Sequence, residues 1–140
     1  MELTRRKILA LGTSSFALAT LTGLPAFASL TDDAIAAFTG GADMGEGAIT
    51  LTAPEIAENG NTVPIEVDAP GAVAITLFAD GNPVPAVATF NFGPLSASRS
   101  ASTRIRLAKS QNVVAVAKME DGSFQRASAN VKVTIGGCGG

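Results

Sequence analysis

From Ile49 onward the chain places an apolar side chain at every second position in several short runs. Ile49 and Leu51 alternate with Thr50 and Thr52, and Val63, Ile65 and Val67 alternate with Pro64, Glu66 and Asp68. Thr103, Ile105 and Leu107 alternate with Arg104, Arg106 and Ala108, and Val131, Val133 and Ile135 with Lys132 and Thr134. A period of two sends one set of side chains to a buried sheet face and the other to solvent. Residues 73–78 and 87–92, and a run carrying Val114, Val116 and Lys118, read as further strands. Turn chemistry separates them: Asp68-Ala69-Pro70-Gly71, Asp80-Gly81-Asn82-Pro83, Gly93-Pro94, a tight Ser110-Gln111-Asn112 turn and an Asp121-Gly122 hairpin signal. Asn59-Gly60-Asn61 is most simply a turn. Pro64 has no backbone donor, so its strand is expected at an edge or starting there.

Upstream, the pattern changes. Residues 31–38 predict a short helix with Thr31 as its cap. Asp32 and Asp33 would complement the helix dipole, and Ile35 and Phe38 would share an apolar face. Thr39-Gly40-Gly41 stops it, and residues 42–47 read as a flexible stretch. The fold expected is therefore all-β, an immunoglobulin-like β-sandwich over residues 48–135, preceded by a helix and linker over residues 29–47. Antibody-type landmarks are missing, since the chain has no tryptophan and a single cysteine.

The first 28 residues read as an export signal. A basic n-region is followed by an apolar stretch and by Ala26-Phe27-Ala28, an A-x-A cleavage pattern. Adjacent Arg5-Arg6, then Lys7-Ile8-Leu9, point to the twin-arginine route into the periplasm. The apolar stretch is short and diluted for crossing about 30 Å of hydrocarbon, so no membrane anchor is expected after its removal. The whole chain carries a formal charge of −2, and without residues 1–28 the balance falls to −4. An acidic chain without a basic stretch is a poor match for nucleic acid or anionic lipid.

There is no histidine. Serine–histidine and cysteine–histidine catalysis are excluded by composition, and a zinc or copper site is nearly so. A chain of this length can bury a core without a staple, so the lone Cys138 is not needed for stability. It sits in the tail Gly136-Gly137-Cys138-Gly139-Gly140, after a strand ending at Ile135. Glycine loses the most freedom on ordering, so residues 136–140 are expected to form a mobile arm whose one side chain is a thiol. Free cysteines are mostly buried, which makes this placement a functional signal. With no base or cation beside it, only a few per cent of such a thiol is thiolate at neutral pH. That suits a handle activated inside other enzymes better than a catalytic nucleophile. ATP-driven thiocarboxylate formation at Gly139-Gly140 is excluded by the export signal, and prenylation by the position of Cys138, third from the end.

Other charged groups are weaker candidates. Arg99, Arg104, Arg106 and Lys109 form a loose basic set, with Arg104 and Arg106 on one sheet face where an anion or acidic partner could bind. A solvated outer face explains them more simply. Asp32-Asp33 and Glu55/Glu58 read as helix-start and loop charges, and Met44 and Met119 as too isolated for copper.

The chain resembles the SoxY family of the Sox thiosulfate-oxidising system over essentially its whole mature length. The residues carrying the resemblance are Pro54-Glu55-Ile56-Ala57-Glu58-Asn59-Gly60-Asn61-Thr62-Val63-Pro64, Ser102-Thr103-Arg104-Ile105-Arg106-Leu107-Ala108, Gln111-Asn112-Val113-Val114-Ala115-Val116-Ala117 and, most specifically, Val133-Thr134-Ile135-Gly136-Gly137-Cys138-Gly139-Gly140. The resemblance implies a non-catalytic carrier with no cofactor of its own, loaded covalently on Cys138 as an S-thiosulfonate or persulfide. It implies a heterodimer with SoxZ and transient docking to haem-containing SoxXA, the SoxB hydrolase and, where present, the SoxCD sulfur dehydrogenase. It also implies that two carriers can join through a disulfide. Gly136, Gly137, Gly139 and Gly140 would give the arm its freedom. The alternative from the residues alone is a structural periplasmic sandwich cross-linked through its single cysteine.

Overall fold

The computed structural model describes residues 27–136, with side-chain surroundings from Leu30 onward. A helix, α1 (Phe27–Thr39), is followed by nine strands among the described residues: β1 (Met44–Glu46), β2 (Thr50–Thr52), β3 (Ile56–Asn59), β4 (Val63–Asp68), β5 (Ala72–Ala79), β6 (Ala86–Asn91), β7 (Ser100–Ile105), β8 (Gln111–Met119) and β9 (Phe124–Ile135). They form two sheets. The larger runs β1-β9-β8-β5-β6, with β3 also paired to β9, and the smaller runs β2-β4-β7. The expected all-β sandwich is present.

The inner faces enclose the main core. Val63, Ile65 and Val67 from β4 meet Ile75 and Leu77 from β5 and Val113, Ala115 and Ala117 from β8. These are the period-two positions of the sequence, and their exposed neighbours Pro64 and Glu66 face outward. The centre of the larger sheet departs from simple alternation, because β5 and β8 are buried on both faces. The second face is covered by α1, whose Ile35 packs with Phe78, Val114, Val116 and Phe124. Phe38 meets the rings of Phe78 and Phe124 edge-on, at centroid distances of 6.5 and 5.9 Å. Offset and edge-on ring pairs of this kind add to the stabilisation from area alone. The helix is thus a third layer rather than a detached lead-in.

Several local expectations need correction. The helix begins at Phe27, so Thr31 is mid-helix and buried against the sheet rather than its cap. Asp32 and Asp33 therefore lie beyond the first turn, where the dipole effect has faded. Residues 42–47 are not a loose stretch throughout, since β1 pairs in parallel with the start of β9, Met44 opposite Phe124. Gln111 and Asn112 belong to β8 rather than to a turn, and β9 starts seven residues before Val131. The Asp121-Gly122 hairpin forms as expected, with Gly122 at a φ of 85°. Pro64 lies in the middle strand of its sheet, yet β2 reaches only Glu66 opposite β4. The flank of Pro64 is left open there, which is the local edge its missing N–H requires.

Candidate functional site

Cys138, Gly137, Gly139 and Gly140 lie outside the described residues, as do residues 1–26, most of the segment expected to be an export signal. What the structure describes is the root from which the tail leaves. The last residues of β9 are held from two sides. β3 runs parallel to it, with Asn59 opposite Ile135. The Gly60 amide donates to the Ile135 carbonyl at 2.7 Å, and the Leu107 amide donates to the Gly60 carbonyl at 2.8 Å. Lys132 donates its amide to the Glu55 carbonyl at 2.9 Å. On the other flank, Ser110 Oγ accepts the Val133 amide at 2.8 Å and turns back to the Val133 carbonyl at 3.4 Å.

Gly136 is the contact that makes this root specific. A Cβ built there would lie 2.3 Å from the carbonyl oxygen of Ala108. The glycine is therefore needed for close approach of two backbones, a role beyond the freedom expected of it.

Ala108 is itself fixed by a buried amide network. Asn82, only 1% exposed, accepts the Ala108 amide on Oδ1 at 3.0 Å and donates from Nδ2 to the Arg106 carbonyl at 2.8 Å. Gln111 Nε2 donates to the same Oδ1 and to the Lys109 carbonyl, both at 2.9 Å, while its Oε1 accepts the Gly81 amide at 2.8 Å. Asp80 extends the network, accepting the Asn112 amide at 2.8 Å and the Asn112 side-chain amide at 3.1 Å. Buried polar groups persist only when paired, and a network with its partners in place rigidifies what it joins. Here it joins the β5–β6 turn, the segment after β7 and the start of β8, and so sets the seat of Gly136.

The basic set found in the sequence divides. Arg99 pairs with Glu120 at 3.2 Å, at the opposite end of the sandwich. Arg104 stays near the root, its guanidinium donating to Thr62 Oγ1 at 3.4 Å. Met44 packs with the helix-side cluster and Met119 against the sandwich core, so the two sulfurs are not brought together. One carboxyl is clearly perturbed: the Ser123 hydroxyl and amide both donate to Asp121 and hold it below its ordinary 3.8. Among the described residues no group of three or more acidic or cysteine ligands could hold a metal ion. No helix among them is long and apolar enough to cross a membrane. The arrangement supplies a fixed exit point for a short tail.

Asn82, Gln111, Ser110 and Gly60 are the residues that sequence reasoning did not assign to the site. Asn82 lies inside a run, Asp80-Gly81-Asn82-Pro83, whose composition already accounts for it as a turn. The available signal was two carboxamides, Asn82 and Gln111, each bordering a strongly apolar strand.

Comparison with known proteins gives a consistent picture. The family model described as "Sulfur oxidation protein SoxY" matches residues 35–138, from the buried face of α1 to Cys138 itself. The solved structure of the sulfur carrier protein SoxY from Chlorobium limicola f. thiosulfatophilum is 45% identical, with a TM-score of 0.67, covering 77% of this chain and 99% of that one. A superoxide reductase (neelaredoxin) from Ignicoccus hospitalis shares only the fold, at 19% identity and a TM-score of 0.54, covering 62% of this chain and 80% of that one. The search of curated proteins gives no match.

Proposed function

The chain belongs to the SoxY family of sulfur oxidation proteins, and from that premise we propose that it is a sulfur-substrate carrier working through Cys138. The observation that carries this reading is the reach of the family match to residue 138, three residues past the end of β9, a strand whose end is held by β3 and Ser110. The chemistry follows from an ordinary thiol. Loading joins the Cys138 sulfur to the outer sulfur of thiosulfate; the thiol proton leaves and two electrons pass to a haem partner such as SoxXA. The product is an S-thiosulfonate. Water then attacks its terminal sulfonate sulfur in a hydrolase such as SoxB, releasing sulfate and leaving a persulfide on Cys138. Where a sulfur dehydrogenase such as SoxCD exists, that outer sulfur is oxidised in turn.

The carrier contributes position, and its partners contribute catalysis. Four glycines leave the thiol as the one side chain in the last five residues, so little bulk follows it into a narrow active site. The proposed setting is the periplasm, after twin-arginine export, with SoxZ as the heterodimer partner and a disulfide-linked pair of carriers as an off-cycle form. The test is complementation: cells carrying Cys138→Ser, with the protein folded and exported at the wild-type level, lose thiosulfate oxidation. Unchanged oxidation by those cells would overturn the carrier reading.

A further inference from the structure

Asn59-Gly60 is the one place in the chain where glycine follows asparagine; the other five asparagines precede threonine, proline, phenylalanine or valine. The order has a chemical consequence. A backbone nitrogen can attack the carboxamide carbon of the residue before it, and glycine has no side chain to hinder that approach. Asn59-Gly60 also sits at the root of the tail, since Asn59 pairs with Ile135.

The two reacting groups are held apart. Asn59 is the exposed last residue of β3, and Gly60 is buried just beyond it. Both backbone groups of Gly60 are engaged: its amide donates to the Ile135 carbonyl at 2.7 Å, and its carbonyl accepts the Leu107 amide at 2.8 Å. Asn59 Oδ1 accepts the Asn61 amide at 3.0 Å. While these bonds hold, the Gly60 nitrogen keeps its proton. Asn59 also keeps the extended backbone of a strand, from which that nitrogen does not reach the carboxamide carbon. The clamp is only as strong as β3. That strand has four residues, buries Ala57 alone, and among the described residues pairs only with β9. Short, mostly exposed elements open at far lower free energy than a core, so the root can part while the sandwich stays folded.

We propose that Asn59 is a latent deamidation site whose rate is set by local opening of the β3–β9 root. On opening, the Gly60 nitrogen bonds to the Asn59 carboxamide carbon. The side-chain nitrogen leaves as ammonia, carrying the proton that Gly60 gives up. Water then opens the succinimide at either carbonyl, giving aspartate or isoaspartate, so the net change exchanges ammonia for water and needs no other reactant. Either product puts a carboxylate at residue 59. Isoaspartate also routes the backbone through the side chain, one carbon longer, so Gly60 no longer meets Ile135 in register. The base of the tail is then released for good. This chemistry depends on the root alone and holds whatever Cys138 carries.

The test follows isoaspartate at residue 59 by peptide mapping of the full mature chain, held at mildly alkaline pH well below each variant's unfolding midpoint. Folded wild type should form it at least about tenfold more slowly than the same chain unfolded in urea. Two variants loosen the root: Gly136→Ala, whose methyl meets the Ala108 carbonyl, and Ser110→Ala, which frees the Val133 amide. Each should speed the reaction, Gly136→Ala by about tenfold. Phe38→Ala, on the helix far from the root, weakens the whole domain and should change the folded rate less than about twofold. Deamidated chains separated by ion exchange should show faster amide exchange at Leu107, whose acceptor is the Gly60 carbonyl. Equal rates in folded and unfolded wild type overturn the proposal, as does a failure of both root variants to accelerate it. Greater acceleration by Phe38→Ala than by Gly136→Ala would make global unfolding the gate and overturn it too. Unchanged exchange at Leu107 overturns the release of the root.

Discussion

At Gly136 a methyl group would land 2.3 Å from the Ala108 carbonyl oxygen, a backbone atom that cannot swing aside. Gly136→Ala therefore has to lift the root of the tail away from its seat. The expected outcome is a modest global loss, about 1 kcal/mol in urea unfolding, the low end of overpacking costs because a strand end can yield. The local loss is larger, read as faster amide exchange at Gly60, whose partner is the Ile135 carbonyl. Asn82 is the opposite case, buried and joined to three partners. Asn82→Ala strands the Ala108 amide and the Arg106 carbonyl, and should cost about 2–3 kcal/mol, the upper range for leaving buried polar groups unpaired. Neither residue could be picked out in the sequence. Alternation reports which face a side chain takes, and it is silent on a backbone-to-backbone contact or on a carboxamide folded inward from a turn. Cys138 stands out in the sequence for the opposite reason, as a lone thiol among four glycines, and its role is the reading to be tested.

Among the elements, the long alternating strands were readable and the short parallel ones were not. β4 carries three buried side chains in strict alternation, whereas β3 buries Ala57 alone and β1 buries none fully. Those two strands exist because β9 offers them an edge, which is a tertiary cause. The docking of α1 had a trace in the sequence: residues 72–79 and 111–119 are apolar on both faces, which requires cover on both. Phe38→Ala should therefore destabilise the whole domain, by about 2–3 kcal/mol in thermal or urea unfolding, somewhat below the range for a fully buried phenylalanine because Phe38 is only partly buried. The hairpin between β8 and β9 has a pH dependence of known sign. Asp121 is held below 3.8 by donors from Ser123, so the hairpin's contribution is complete above that value and is lost as pH falls through the lowered one. A carbon-detected titration should place the Asp121 midpoint below 3.8, and Asp121→Asn should remove the acid-side change in the Ser123 amide shift.

For the molecule as a whole, the sandwich is the base from which the tail leaves, with its buried polar network at that end. The family was legible from the tail and from the segments around Asn59 and Arg104. The order of strands within each sheet was not, because it depends on tertiary pairing. In the proposed scheme the base and the thiol have separate tasks, so Cys138→Ser should leave the unfolding midpoint unchanged while abolishing function. The most direct measurement is the intact mass of the protein purified from thiosulfate-grown cells without reductant. The wild type should carry sulfur or sulfonate adducts that reductant removes, and Cys138→Ser should carry none. A wild type found only as unmodified chain or stable disulfide dimer, or the same adducts on Cys138→Ser, would contradict the assignment of the cargo to Cys138.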